Sequence, residues 1–150
     1  MKNLYQPATA AHIKERVAQV RPDSARQWGK MNSAQALAHC AGALEIAVGD
    51  TVPPRMFIGR IIGRMIKSKV VGDDQPLRRN SPTMPSLIIV EDRDLQKEQA
   101  RLTALIDRFA STGPSGCTTS AHSFFGRMTP DEWAILMYKH LDHHLRQFGA

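Results

Sequence analysis

The segment from Thr129 to Phe148 most restricts what this chain can fold into. Thr129 is a good N-cap, Pro130 suits the first helical position, and Glu132 completes a capping box. From there Trp133, Met137, His140, Leu141, His144 and Phe148 share one broad helical face. A face of that kind is stable only when packed against other elements, so it carries two imidazoles toward the interior. His140 and His144 are one turn apart, which puts their β-carbons roughly 5–6 Å from each other. Two rings so placed can converge on one ion at about 2.0–2.1 Å. The paired histidines of the zinc-protease helix have this spacing, but no Glu follows His140 as that motif requires. The competing reading is a pair of partly buried histidines satisfied by polar partners alone. His143 points about 100° away from His144 and suits a supporting or surface position.

The rest of the chain predicts further helices. A first spans about residues 8–20, with Ile13, Val17 and Val20 at helical spacing, and ends at Arg21-Pro22. A second opens at Asn32 or Ser33, where Asn32 and Gln35 form a capping box, and stops at Gly49-Asp50. Leu37, Cys40, Ala41, Leu44 and Val48 are its apolar face; His39 lies beside it, in line with Ala36, Ala43 and Ile46. A third spans about residues 91–110 on the stripe Leu95, Leu102, Leu105, Ile106 and Phe109. Between the second and third lie Pro53-Pro54, a basic amphipathic stretch at helical spacing over about residues 56–70, and a proline-bearing segment to residue 90. This reads as a long irregular crossover, with Leu87-Ile88-Ile89-Val90 as packed coil or the start of a helix. Four long amphipathic helices and one crossover predict an all-α four-helix bundle, with residues 1–150 as a single domain.

The formal net charge of +6 is concentrated at Arg55, Arg60, Arg64, Lys67, Lys69, Arg78 and Arg79. The first reading of this cluster is a solvated helical face. The second is a rim at Arg60, Arg64 and Lys67 that attracts an anionic substrate. Membrane-surface or nucleic-acid binding ranks last, because Phe57 is the only aromatic in the stretch. No run approaches the roughly 18 apolar residues that would cross a bilayer. The N-terminus lacks the apolar core of a signal peptide, and the two cysteines, Cys40 and Cys117, form no CxxC pair. These features predict a cytoplasmic protein without a disulfide framework; a homodimer is left open.

His39 taken together with His140-x-x-x-His144 resembles the DinB-like (YfiT-like) metalloenzyme superfamily, in an uncharacterised branch. The segments Trp28-Gly29-Lys30-Met31, His122-Ser123-Phe124-Phe125-Gly126-Arg127-Met128-Thr129, and residues 132–149 with their closing His144-Leu145-Arg146-Gln147 carry the resemblance. It implies a four-helix bundle with one divalent metal ion on His39, His140 and His144, zinc or nickel foremost and iron or manganese also compatible. Characterised relatives include metal-dependent thiol transferases and a thiol-dependent isomerase. The implied activity is transfer of a low-molecular-weight thiol, anionic thiols included, or hydrolysis of a small substrate, with no catalytic side chain assigned. The alternative is a non-catalytic metal-binding or interaction bundle. The chain departs from the family pattern at Leu145 and in its long, basic, proline-rich 51–90 segment. Around the ligands, Gln147 and Asp142 are candidate partners for ring N–H groups, and Asp142 reads better as an ordinary exposed helix residue. His122 is a candidate fourth ligand or proton carrier, against the simpler role of anchoring its own loop by a hydrogen bond.

Overall fold

A computed structural model describes residues 1–150. It is all-helical: α1 (Pro7–Gln19), α2 (Ser33–Ala47), α3 (Phe57–Val71), α4 (Leu95–Thr112) and α5 (Pro130–Gln147), with 3-10 turns at Pro85–Leu87 and Gly113–Gly116 and no strand. Both predicted capping boxes form. The Asn32 side chain accepts from the Gln35 backbone N–H, that of Thr129 accepts from Glu132, and each N3 side chain returns the bond. α4 starts later than expected because Asp94, not an earlier residue, caps it, accepting from the Lys97 N–H at 3.1 Å.

α2 is buried on nearly every side and packs against α4 and α5, while α1 packs against the same two helices. The alanines of α2 (Ala34, Ala36, Ala38, Ala41, Ala43 and Ala47) permit that close approach. Leu37 and Leu44 of α2 join Ile13, Val17, Leu102, Ile106, Phe109, Trp133, Leu141 and Leu145 in one core. Each large side chain there contributes about 1.5–3 kcal/mol by leaving water. Tyr5 extends the core, stacked on Phe109 with ring centroids 5.0 Å apart.

The expected irregular crossover is corrected between residues 57 and 71, which form the full helix α3, so the chain has five α-helices instead of four. Its periodicity is helical throughout, and Gly59 and Gly63 let it pack closely. A β-carbon at either position would run into the backbone carbonyl of Phe124. Buried Lys139 of α5 fixes its far end, donating to the Val70 and Asp73 carbonyls at 2.6 and 3.0 Å. Leu87–Val90 forms no strand; Leu87 is buried beside α2, and Ile88 and Val90 are exposed. No helix is long and apolar enough to cross a membrane.

Candidate metal centre

α2 and α5 bring His39, His140 and His144 together. Their ring centroids are 4.7, 4.7 and 4.8 Å apart pairwise, and one ring nitrogen from each falls within 4.8 Å of the others. His39 and His144 are buried, and His140 is half-buried.

Hydrogen bonds fix two of the three tautomers. His39 Nδ1 lies 2.8 Å from the Leu87 carbonyl, which can only accept, so Nδ1 carries the proton and Nε2 presents a lone pair. The amide of Gln147 donates from Nε2 to the Trp28 carbonyl at 2.6 Å, which turns its Oε1 toward His144 Nδ1 at 2.8 Å. His144 Nδ1 is therefore the donor, and its Nε2 is likewise left with a lone pair. His140 Nε2 sits 2.8 Å from His39 Nε2, while its buried Nδ1 has no partner. Burial pushes all three imidazoles below the ordinary histidine pKa, His140 well below and His144 to about 3, with the neighbouring histidines acting in the same direction. They are therefore neutral at pH 7, the state in which imidazole is a ligand. This cluster of neutral nitrogens, two with lone pairs fixed by outer hydrogen bonds, fits a divalent cation, and the buried three-histidine group can hold one.

The other candidate residues lie around this group. The Nε1–H of Trp28 donates to His143 Nε2 at 3.3 Å, which leaves His143 Nδ1 to donate to the Leu77 carbonyl at 3.3 Å. His122 is outside the three-histidine group. Its Nδ1 accepts from the backbone N–H groups of Phe124 and Phe125, both at 3.1 Å, and its ring stacks on Phe125. Asp142 pairs with Arg16 at 2.7 Å and Arg146 at 3.7 Å, and none of its hydrogen bonds goes to a histidine. Arg60 and Arg64 are exposed on α3, and Lys67 is held by Glu132 at 2.8 Å.

Three participants were given no role at the site by the sequence. The Leu87 carbonyl orients His39, and a backbone acceptor leaves no side-chain signature. Trp28 reads as a packing residue, yet it holds both His143 and Gln147. Arg79 covers the Trp28 ring at 4.2 Å, and only its membership in the basic cluster hinted at a role. Gly29 (φ +80°) completes this turn, since a β-carbon there would collide with the Gln147 amide.

Fold and site together define a small helical protein with a buried three-histidine cluster able to hold a metal ion. The chain belongs to the family described as protein of unknown function (DUF1569), whose sequence model matches residues 2–150. No curated protein and no solved structure shows significant similarity to it.

Proposed function

We propose that this chain is a divalent-metal-dependent enzyme of the DinB-like kind, a single domain with α1, α2, α4 and α5 as its four-helix bundle, acting in the cytoplasm. His39, His140 and His144 are the ligands, and zinc or nickel is the first expectation for the ion, with iron or manganese also compatible. The observation that carries the reading is the pair of outer hydrogen bonds, donated by His39 Nδ1 to the Leu87 carbonyl and by His144 Nδ1 to Gln147 Oε1, which leave a neutral Nε2 lone pair on each ring of a cluster whose ligand atoms lie within 4.8 Å of one another. His39, His140 and His144 would hold such an ion, and it would supply a lowered pKa to a bound water or thiol.

The chain's own residues serve that chemistry in three ways. His140 is the least buried of the three, so a small molecule would approach the cluster from its side. Gln147 orients His144 and at the same time pins the Trp28 turn. Arg79 over Trp28 places a guanidinium beside that turn, suited to a substrate carrying carboxylates. The reaction favoured is transfer of a low-molecular-weight thiol to an electrophile, with hydrolysis of a small substrate next. A second reading, metal binding without catalysis, is favoured by the position of two surface clefts. A 530 Å³ cleft is lined by Arg16, Asp142 and Arg146, and a 280 Å³ cleft by Gly42, Glu45 and Leu87; neither is lined by the three histidines.

Metal analysis of protein purified without an affinity tag should give one ion per chain. In the cobalt-substituted protein, cellular thiols bearing carboxylates should produce a sulfur-to-metal charge-transfer band, and the same thiols should be consumed with a reactive electrophile only when metal is present. A metal-loaded protein showing neither band nor turnover with a panel of thiols would exclude thiol transfer; absence of metal would exclude the whole reading. Gln147→Leu should weaken metal binding on the order of tenfold, the low end of what losing an outer partner of a histidine ligand costs. It should also change the Trp28 fluorescence, because one amide serves both groups. Competition against a chromophoric chelator measures the first effect, and unchanged affinity would show that Gln147 does not orient the ligand.

A further inference from the structure

An amphipathic helix ordinarily buries its apolar stripe. α3 does the reverse. Its tightest contact is made by Gly59 and Gly63 against the Phe124 backbone, with Ile62, Ile66 and Val70 half-buried beside them. That leaves Phe57, Ile58, Ile61 and Met65 on the outer face, with 77, 48, 65 and 58% of their surface in solvent. At 100° per residue these four span one continuous stripe. Arg60 and Arg64 border it on one side and Lys69 on the other. All three cations are exposed and none is in an ion pair, whereas Lys67, further round the helix, is taken by Glu132. The helix contains no acidic residue.

The geometry points to a function separate from the metal centre: α3 docks the protein on the surface of an anionic lipid bilayer. Charge selects this occupant. A second copy of the chain seated on the stripe would bring Arg60 and Arg64 against their own counterparts, with no carboxylate on the helix to offset the repulsion. A nucleic acid would meet the flanking cations but would gain nothing from an apolar centre four side chains wide. An anionic bilayer satisfies both features. The stripe enters the boundary between headgroups and acyl chains, and the arginines and lysine stay at the level of the phosphates. The surface is formed in advance, because Lys67–Glu132 and Lys139 tie α3 to α5 through its other side. From the sequence this function ranks last because Phe57 is the only aromatic in the stretch; in the structure Gly59 and Gly63 take the innermost positions and Ile58 and Ile61 are left outside.

Vesicle flotation with the full chain tests the proposal. The protein should float with phosphatidylcholine vesicles containing phosphatidylglycerol, bind vesicles of phosphatidylcholine alone about tenfold more weakly, and be released as salt is raised. The double variant Ile61→Ser, Met65→Ser changes only exposed positions, so its circular dichroism should match the parent while its partition onto anionic vesicles falls about tenfold. Arg60→Gln with Arg64→Gln should remove most of the salt dependence. Lack of binding to anionic vesicles, or equal binding by the serine double variant, would overturn the proposal. So would light scattering that finds a dimer which the serine variant splits, or tighter binding to duplex DNA than to the vesicles. None of these readouts depends on the metal, so its failure and that of the metal reading are separable.

Discussion

Replacing His140 or His144 with alanine should abolish stoichiometric metal binding while leaving the helix content almost unchanged. Each imidazole supplies one of three nitrogens within 4.8 Å, and no fourth histidine belongs to the group to take its place. The loss should exceed the roughly 10–100-fold that removal of an outer hydrogen-bond partner causes. The fold should survive because the core of Phe109, Trp133, Leu141 and Leu145 does not depend on the three rings. His39→Ala should behave alike from the opposite helix. His143→Ala is the control. It stands next to His144 in sequence, but it hydrogen-bonds to Trp28 and the Leu77 carbonyl, so it should keep the metal and alter only the Trp28 environment. Metal content after dialysis, measured by mass spectrometry beside circular dichroism, reads both effects. Retention of metal by His144→Ala with loss in His143→Ala would show that the helix presents a different register to the ion.

The helices that could be placed from the sequence are those with both periodicity and an end signal. α2 and α5 have capping boxes, and both begin where those boxes put them. α1 lies within one residue of its expected ends, helped by its periodicity and the Arg21-Pro22 stop. α3 has periodicity but no capping side chain and two glycines, which lower helix propensity, so the residues that make its close packing possible also hide it. Within the candidate site, periodicity puts His140 and His144 on one face, and α-helical geometry then does the rest. That His39 meets them is a tertiary fact: its alignment with Ala36, Ala43 and Ile46 indicates burial but not against what, and the resemblance supplied the partner. The orienting groups divide the same way. Gln147 is three residues from His144 on the same helix and was readable as its partner, whereas the Leu87 carbonyl reaches His39 from 48 residues away through a backbone atom.

Acidification of the metal-free protein should reveal His122 as a structural switch in the loop that supports α3. Burial, and secondly the charge of Arg55, lower its pKa from 6.5 to about 4. The neutral ring is also what the loop requires, because Nδ1 must accept from the Phe124 and Phe125 N–H groups and a proton there would break both bonds. The sign follows from linkage. The unfolded chain takes up this proton more readily than the folded one, so the contribution is complete above pH 6.5 and is lost as pH falls through the window down to about 4. Over the whole window the shift corresponds to about 3 kcal/mol at 1.36 kcal/mol per unit. His39, His140 and His144 titrate in the same sense, so the quantity to measure is a difference between two proteins. His122→Asn places an amide oxygen near the position of Nδ1 and cannot titrate. Urea unfolding at successive pH values should show the parent more stable at neutral pH, with the gap closing as pH falls, because only the parent has a ring that its unfolded chain protonates while the folded loop keeps it neutral. Parallel stability curves for the two proteins would mean that His122 stays neutral, or stays solvated, throughout. Since Gly59 and Gly63 rest directly on the Phe124 backbone, closure of the gap should be accompanied by loosening of α3, visible as faster amide exchange along that helix than along α2.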